Sequence, residues 1–278
     1  MTIVVTGATG NIGRPLVTLL AAAGERVRAV TRQAQAAGFP DGVQLVHSAV
    51  DALPGASAVF VNSRALGDDL ADVVSVARRS GVGKLVALSA INADDDLARQ
   101  PSRVRGDRNK EVEQLCVDSG LAWISLRPSV FATNFAGMWS AQIRAGDIVG
   151  GPYAEASSAP IAAADIAAVA AHALLTNDVV EQRIPLTGPQ SLTNADLVDV
   201  IGTVLGRRLR YVEAPPHIVR QRFVAIGLGA DFADAYIAML ADAVDKPALV
   251  THEVEKITGR AATPFAQWVA DHRQLFTN

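Results

Sequence analysis

Thr6-Gly7-Ala8-Thr9-Gly10-Asn11-Ile12-Gly13 directly follows the β-branched run Ile3-Val4-Val5 and decides the fold. Glycines spaced by three let the backbone turn sharply, approach a ligand closely and pack a helix against a strand. The apolar run predicts a strand, residues 15–24 predict a helix, and residues 26–31 predict a second strand. This is a βαβ unit of about thirty residues, the context in which the glycine pattern binds a dinucleotide. The alternative is an ordinary glycine-rich turn.

The start of the predicted helix is where the phosphates of such a ligand would lie. Free backbone N–H groups and the positive end of the helix dipole would face a pyrophosphate there. The expected contacts are Gly7, Thr9, Gly10, Asn11, Ile12 and Gly13.

Composition narrows the classes of protein. The chain has 278 residues, 50% of them hydrophobic, and a net charge of −3. That is enough apolar material for an α/β domain with a smaller lobe. Near-neutral charge gives no broad attraction to nucleic acid or to an anionic membrane. The single cysteine, Cys116, excludes an intrachain disulfide framework, fits the cytoplasm and is expected in the core. The scattered histidines predict no metal site.

The end of the second predicted strand indicates which dinucleotide is bound. An acidic residue there would bond the adenosine ribose, whereas an arginine attracts a 2′-phosphate. Arg32 occupies this end, and no Asp or Glu lies between Val27 and Asp41. The sequence therefore favours NADPH over NADH, although Arg32 could also be an ordinary solvated residue.

Two further strand ends carry candidate site residues. Residues 58–62 predict a strand that ends in Asn62, Ser63 and Arg64, which could contact the adenosine or its phosphates or form a simple turn. Residues 84–88 predict a buried strand that leads to Ser89 and Asn92, beside an expected nicotinamide and substrate. Ser89 could instead cap the following turn.

Several motifs together resemble the NmrA-like branch of the short-chain dehydrogenase/reductase superfamily. Besides the glycine stretch and Arg32, they are Lys110 with Val112-Glu113, Leu126-Arg127-Pro128, Phe131-Ala132-Thr133-Asn134, Asp165-Ile166-Ala167, Leu186-Thr187-Gly188 and Thr258-Gly259-Arg260 with Trp268. The resemblance spans nearly the whole chain. It implies a Rossmann fold, a doubly wound parallel sheet that binds NADP(H), with cofactor contacts extending to Pro128 and Phe131. The family includes quinone, triphenylmethane-dye and benzylic-ether reductases, and also redox sensors without evident catalysis.

One departure from the superfamily bears on catalysis. Its usual catalytic pair is Tyr-x-x-x-Lys, but the residue four before Lys110 is Gly106. Only Lys110 carries over, as a ribose or nicotinamide contact, and the candidate catalytic residues are Ser89, Lys110 and Asn92.

The second half of the chain is expected to form the substrate side. We predict an NADP-binding core over residues 1–135 and a substrate lobe and lid over 136–278, with a segment near 160–188 returning to the core. Bulky side chains after the core could line an apolar pocket or be core themselves. The candidate substrate contacts are Asn134, Phe135, Met138, Trp139 and Tyr153. A helical lobe from Pro215 could serve as a lid or as a packing or dimer surface.

Local signals predict how several helices of this half begin and dock. Asp165 is expected to cap a helix over residues 166–175. Thr193 and Asp196 predict a capping box for a helix that Gly206 ends. The last helix is expected to dock through Trp268 and Leu275.

These inferences favour an NADPH-dependent reductase that transfers hydride to a quinone or ketone. Without the tyrosine, a hydroxylated polycyclic aromatic substrate of polyketide type could supply its own acid, which also suits an apolar pocket. The alternative is a non-catalytic NADP(H)-binding redox sensor, and a sugar-nucleotide epimerase is a weaker third reading. No nucleic-acid or membrane partner is expected, and the chain could be a monomer or a homodimer.

Overall fold

A computed structural model describes residues 1–32 and 38–277 of the chain. Short 3-10 turns link some of the regular elements. In chain order the elements are β1 (Thr2–Thr6), α1 (Gly13–Ala22), β2 (Arg26–Val30), β3 (Gln44–Val46), β4 (Ala58–Asn62), α2 (Ser63–Leu66), α3 (Leu70–Arg79), β5 (Lys84–Leu88), α4 (Pro101–Val104), α5 (Asn109–Asp118), β6 (Ala122–Pro128), α6 (Ala132–Ala145), β7 (Ile148–Gly151), β8 (Ser157–Ser158), α7 (Ala163–Leu175), β9 (Gln182–Leu186), β10 (Leu192–Thr193), α8 (Asn194–Leu205), β11 (Arg210–Glu213), α9 (Pro216–Ala225), α10 (Ala230–Asp242), α11 (Glu253–Thr258) and α12 (Phe265–Asp271).

Seven strands form one parallel sheet in the order β3-β2-β1-β4-β5-β6-β9. The chain runs outward from β1 to β3 and then returns to the other side of β1 with β4. The carboxyl ends of β1 and β4 therefore flank the point where the strand order reverses, which is where open parallel sheets bind ligands. The predicted Rossmann fold is confirmed.

Helices cover both faces of this sheet. Helices α1 and α7 pack on one face, where Ile3 and Val5 of β1 lie in the same apolar cluster as Leu16 of α1. On the other face, Val4 packs in a cluster with residues of α3 and α5. Side chains alternate along a strand, so consecutive apolar residues reach opposite faces. Cys116 of α5 is buried in the second cluster, as predicted.

A second apolar core joins α6, α8 and α12. Phe135 and Trp139 are buried in it, with ring centroids 5.0 Å apart, and Phe135 lies 5.7 Å from Phe265 of α12. Of the two possibilities that the sequence leaves open for these α6 side chains, pocket lining or core, their burial favours core. They pack with apolar side chains of α8 and α12.

Helices α9 and α10 form a separate small lobe, as the sequence predicted from Pro215 onward. An aromatic cluster of Phe223, Phe232 and Tyr236 holds the two helices together. Helix α10 also packs against the segment that follows β5: the Arg105 guanidinium lies 4.7 Å from the Phe232 ring centroid, and Arg99 pairs with Asp242 at 3.2 Å.

Two local predictions are wrong and two are confirmed. Asp165 does not cap α7, which begins without a side-chain cap at Ala162. Its buried carboxylate accepts a bond from the Thr263 N–H at 2.7 Å and pairs with Arg260, so it anchors the approach to α12. The last helix docks through buried Trp268 as predicted, but Leu275 is exposed and Phe276 takes its place. The capping box at the start of α8, formed by Thr193 and Asp196, is present.

Among the helices that the structure describes, none combines the length and the apolar character that a bilayer crossing requires.

Candidate active site

The glycine stretch forms an open turn between β1 and α1. Gly7 has φ +67°, a left-handed conformation that L side chains rarely adopt. A Cβ on Gly13 would lie 2.2 Å from the Gly7 carbonyl oxygen, so only glycine allows α1 to begin this close to the strand. Gly10 and Asn11 are exposed, Thr9 is half-buried and Ile12 packs into the core. The turn thus presents backbone to solvent and anchors itself through Ile12.

Helix α1 begins without a side-chain cap. No side chain caps its start, the Arg14 N–H already donates to the Gly10 carbonyl at 3.1 Å, and Pro15 has no N–H, so the donors that remain are the N–H of Gly13 and those of the turn before it. These donors, together with the positive end of the helix dipole, make the turn suited to a phosphate.

The end of β4 lies directly beside this turn. The Asn62 N–H donates to the Thr6 hydroxyl at 2.8 Å, and that hydroxyl donates to the Phe60 carbonyl at 2.8 Å. The Asn62 side chain caps α2 by accepting from the Ala65 N–H at 3.3 Å, and its amide nitrogen lies 3.1 Å from an ideal Cβ on Gly7. Asn62 is therefore fixed at the place where the strand order reverses.

The other two residues of this strand end are held by the turn before α5. The buried Ser63 hydroxyl accepts from the Arg108 N–H at 2.9 Å. Arg64 forms an ion pair with Asp107 and remains exposed. Both side chains are thus engaged within the protein, although Arg64 stays at the surface of the site.

Arg32 is exposed just beyond β2. Buried Thr31 precedes it, and the Thr31 N–H donates to the Val46 carbonyl at 3.0 Å, which fixes the strand end. On the opposite side of the same opening, the Arg14 guanidinium lies 5.5 Å from the ring centroid of Phe39. Sequence reasoning missed Arg14, because its position in the first turn of α1 shows only in the fold.

Ser89 and Asn92 leave the carboxyl end of β5, as predicted. Ser89 is buried, and its hydroxyl donates to the Asn109 carbonyl at 3.0 Å. The Ile91 N–H donates to the Pro128 carbonyl at 3.0 Å, so the ends of β5 and β6 stay together. The Asn92 amide donates to the Arg99 carbonyl at 3.4 Å.

Lys110 belongs to a chain of charged groups on the α5 side. Its ammonium group pairs with Asp94, and Asp94 also accepts from Arg127 at 2.7 Å. Arg127 in turn pairs with the buried Glu113 at 2.6 Å, and Arg183 also pairs with Glu113 at 2.6 Å. Ion pairs with Lys110 and Arg127 hold the pKa of Asp94 below its usual range. Lys110 directly follows Asn109, whose carbonyl accepts the Ser89 hydroxyl, but the Lys110 ammonium group itself is engaged with Asp94 at the surface.

Gly106, which stands where the superfamily has tyrosine, lies in a turn with φ +94°. A Cβ there would approach Arg64 at 3.9 Å. The backbone at this position is unfavourable for tyrosine, so the difference from the usual Tyr-x-x-x-Lys pattern is built into the turn.

The predicted substrate residues separate into two groups. Phe131 is half-buried and bridges to Ile161 at the start of α6, and Asn134 is exposed one turn later. Met138 and Tyr153 join the aromatic cluster of the α9–α10 lobe. Tyr153 has φ +51°, an uncommon conformation for a residue other than glycine, and such outliers cluster at functional sites. Phe135 and Trp139 belong to the core described above.

Two buried hydroxyl groups near this cluster have no hydrogen-bond partner within the described residues: those of Thr133 in α6 and Ser158 in β8. Buried polar groups are usually satisfied, so these hydroxyls are available to a ligand or water. Sequence reasoning missed both, because burial without a partner can be recognised only in a fold.

No three side chains among His, Cys, Asp and Glu converge as a metal ion would need, within residues 1–32 and 38–277.

Comparison with known proteins gives a consistent picture. The model of the NmrA-like family matches residues 1–263. The chain is 32% identical over 287 residues to an NAD(P)H azoreductase from Xenophilus azovorans, covering 99% of both chains. It is also 32% identical over 289 residues, with the same coverage, to a (4-alkanoyl-5-oxo-2,5-dihydrofuran-3-yl)methyl phosphate reductase from Streptomyces griseus.

Solved structures agree at the level of the fold. An NADPH-dependent quinone oxidoreductase from Escherichia coli superposes with a TM-score of 0.82 at 19% identity, covering 98% of this chain and 100% of that one. A Citrobacter triphenylmethane reductase in complex with NADP(H) also gives 0.82 at 19% identity, with 98% and 99% coverage.

Proposed function

Because this chain belongs to the NmrA-like family, we propose that it is an NADPH-dependent reductase that transfers hydride to a flat aromatic acceptor, a quinone or an aromatic ketone. The observation that carries the proposal is the open glycine turn at the reversal of strand order, next to an uncapped helix start. The names of the relatives support an oxidoreductase that uses NAD(P)H.

The residues present fit the cofactor. The exposed backbone of Gly10 and Asn11 would meet the pyrophosphate, and Asn62 would border it from β4. Ser89, Pro128 and Phe131 would lie against the nicotinamide, since they leave the ends of the two adjoining strands. Lys110 would contact the ribose of the cofactor, which requires that its ion pair with Asp94 opens.

The preference for NADPH rests on Arg32. A guanidinium that faces solvent at the end of β2 can bond the 2′-phosphate with paired N–H groups. The Arg32→Ala variant is expected to weaken NADPH about ten-fold or more, because a charge-assisted bond is lost. Binding of NADH should change little. Titration of both cofactors by intrinsic fluorescence tests this, and equal affinity of the wild type for NADH and NADPH would refute the preference.

The acceptor would lie between the nicotinamide and the α9–α10 lobe. Met138 and Tyr153 supply apolar and aromatic surface there, and the unpaired hydroxyls of Thr133 and Ser158 could bond its polar atoms. A flat aromatic molecule suits such a wall because ring contacts stabilise it.

The protein offers no Tyr-Lys pair as a proton source. A bound nicotinamide would supply the hydride, which adds to the acceptor carbon, and a proton must then reach the acceptor oxygen. A phenol on the substrate beside the carbonyl could deliver that proton. The Ser89 hydroxyl could instead stabilise the developing charge, once it turns away from the Asn109 carbonyl.

Turnover tests the whole proposal. NADPH oxidation should be measured with naphthoquinone, its hydroxylated counterpart juglone, and the azo dye methyl red, which the azoreductase relative suggests. Faster turnover of juglone than of naphthoquinone supports proton delivery by the substrate. Tight NADPH binding with no oxidation by any acceptor would favour the redox sensor instead.

A further inference from the structure

The phenol of Tyr236, on α10, has an unusual environment. The side chain is only 8% exposed, and its ring stacks on Phe232 at 6.1 Å and packs against Phe223 at 5.4 Å between centroids. Its hydroxyl has no hydrogen-bond partner among the described residues and is not fully covered by neighbouring atoms. The hydroxyl is therefore the end of an otherwise buried ring that solvent still reaches.

A phenol without a protein partner is uncommon on a ring as buried as that of Tyr236. Tyrosine hydroxyls normally find a partner when the ring is buried. The nearby Tyr211 illustrates the usual arrangement, since its hydroxyl donates to the Pro152 carbonyl at 2.8 Å. Burial raises the pKa of Tyr211. The Tyr236 hydroxyl differs from that of Tyr211 in having no such partner.

The residues around Tyr236 are those of the proposed acceptor cavity. Met138 and Tyr153 share its apolar cluster. Helix α10 is tied through Arg99–Asp242 and Arg105–Phe232 to the segment that leaves the nicotinamide end of β5. Tyr236 thus lies on the helix that packs against the segment leaving the carboxyl end of β5.

We propose that the Tyr236 hydroxyl is a substrate contact that donates a hydrogen bond to an oxygen or nitrogen atom of the aromatic acceptor. This inference rests on the proposed function. Burial raises the pKa of the phenol, so it stays protonated and remains a donor at neutral pH. The stacked Phe232 ring would keep the donor in place, and the same aromatic surface would hold the acceptor ring.

The Tyr236→Phe variant tests the contact, because it removes only the hydroxyl. We expect kcat/KM for naphthoquinone to fall about ten-fold, mostly through KM, as loss of one neutral hydrogen bond predicts. The NADPH dissociation constant should not change. The melting temperature of the ligand-free variant should stay close to that of the wild type, because the hydroxyl makes no hydrogen bond within the described residues.

The Tyr211→Phe variant is the matched control for stability. It also removes one phenol oxygen, but it leaves the Pro152 carbonyl without its partner, so its melting temperature should fall. A melting temperature of Tyr236→Phe that falls as far as that of Tyr211→Phe would show that the Tyr236 hydroxyl is structural and would overturn the inference. Unchanged kcat/KM with both naphthoquinone and methyl red would overturn it as well.

The role of Tyr236 can be tested even if the proposed reductase function is wrong. If the wild type binds NADPH but oxidises it with no acceptor, the reductase proposal fails, and equilibrium binding of naphthoquinone to the NADP-loaded protein decides about Tyr236. Weaker binding by Tyr236→Phe than by the wild type then supports the contact, whereas equal binding, or no binding by either protein, overturns it.

Discussion

Glu113 gives the sharpest stability prediction. Its side chain is 1% exposed, and three groups bond its carboxylate: Arg127 through two N–H groups at 2.6 and 2.8 Å, Arg183 at 2.6 Å and Ser125 at 2.6 Å. Burial by itself raises the pKa of Glu113, but these bonds outweigh burial and lower the pKa from 4.5 to about 2. The Glu113→Gln variant keeps the shape, removes the charge and leaves two guanidinium groups without their partner.

The size of the effect follows from the pKa. A carboxyl whose pKa falls from 4.5 to about 2 on folding stabilises the folded state by about 3 kcal/mol at neutral pH. Removing one member of a buried pair costs a similar amount, about 3–5 kcal/mol. The Glu113→Gln variant is therefore expected to lose about 3 kcal/mol in its free energy of unfolding, which lowers the melting temperature by roughly 6 °C.

The pH dependence has a definite sign. Glu113 has a lower pKa in the folded than in the unfolded protein, so its contribution is complete above the unfolded pKa of 4.5 and is lost as the pH falls toward 2. The difference between wild type and Glu113→Gln should thus shrink by about 0.8 kcal/mol between about pH 7 and pH 4. Urea unfolding of both proteins at the two pH values measures this directly.

Glu111, two residues earlier on α5, provides the control. Its side chain is 39% exposed and pairs with Arg103 at 2.6 Å. An exposed pair of this kind contributes about 1 kcal/mol or less. If Glu113→Gln and Glu111→Gln lose the same stability, or if the gap between wild type and Glu113→Gln widens as the pH falls, the reasoning about the buried network is wrong.

Three further predictions concern glycines. A Cβ on Gly13 would lie 2.2 Å from the Gly7 carbonyl oxygen, whereas on Gly10 it would lie 3.2 Å from the same atom; Gly13→Ala should therefore lower the free energy of unfolding by about 2 kcal/mol or more. Gly10→Ala should melt near the wild-type temperature but bind NADPH at least about ten-fold more weakly, since its methyl group would occupy the space that the pyrophosphate needs. A fluorescence titration that shows unchanged NADPH binding would contradict the proposed cofactor site. At φ +94°, Gly106→Tyr should cost about 1–3 kcal/mol without raising turnover, and a gain in activity at unchanged melting temperature would show that the turn accepts the usual catalytic tyrosine.

Local patterns were enough to predict the first βαβ unit and several strands, whereas the doubly wound sheet followed from the family resemblance. β-branched runs fixed the strands, and β4 and β5 have the bounds that the apolar pattern predicts, at residues 58–62 and 84–88. The glycine spacing predicted the tight approach of Gly13 to β1 because that steric demand acts within a few residues. The capping box of α8 is local for the same reason.

Contacts between distant segments could not be predicted in this way. The sequence shows Phe135 and Trp139 as apolar helix residues, but their partner Phe265 lies more than a hundred residues later. A helix side chain that faces core and one that faces a cavity have the same chemistry, so only the packing of α8 and α12 shows that Phe135 and Trp139 are buried. Asp165 was misjudged for the same reason, since the N–H that it accepts from belongs to Thr263.

The charged chain on the α5 side connects the stability of the fold with the geometry of the site. Asn109, the first residue of α5, accepts the hydroxyl of Ser89, and Glu113 lies one turn later on the same helix. The bonds from Arg127 and Arg183 fasten that turn to β6 and β9, so the carbonyl that orients Ser89 is held by a buried ion pair. A site without the usual tyrosine and lysine pair depends on such positioning, because the groups that remain are weak acids and act only where their geometry is fixed.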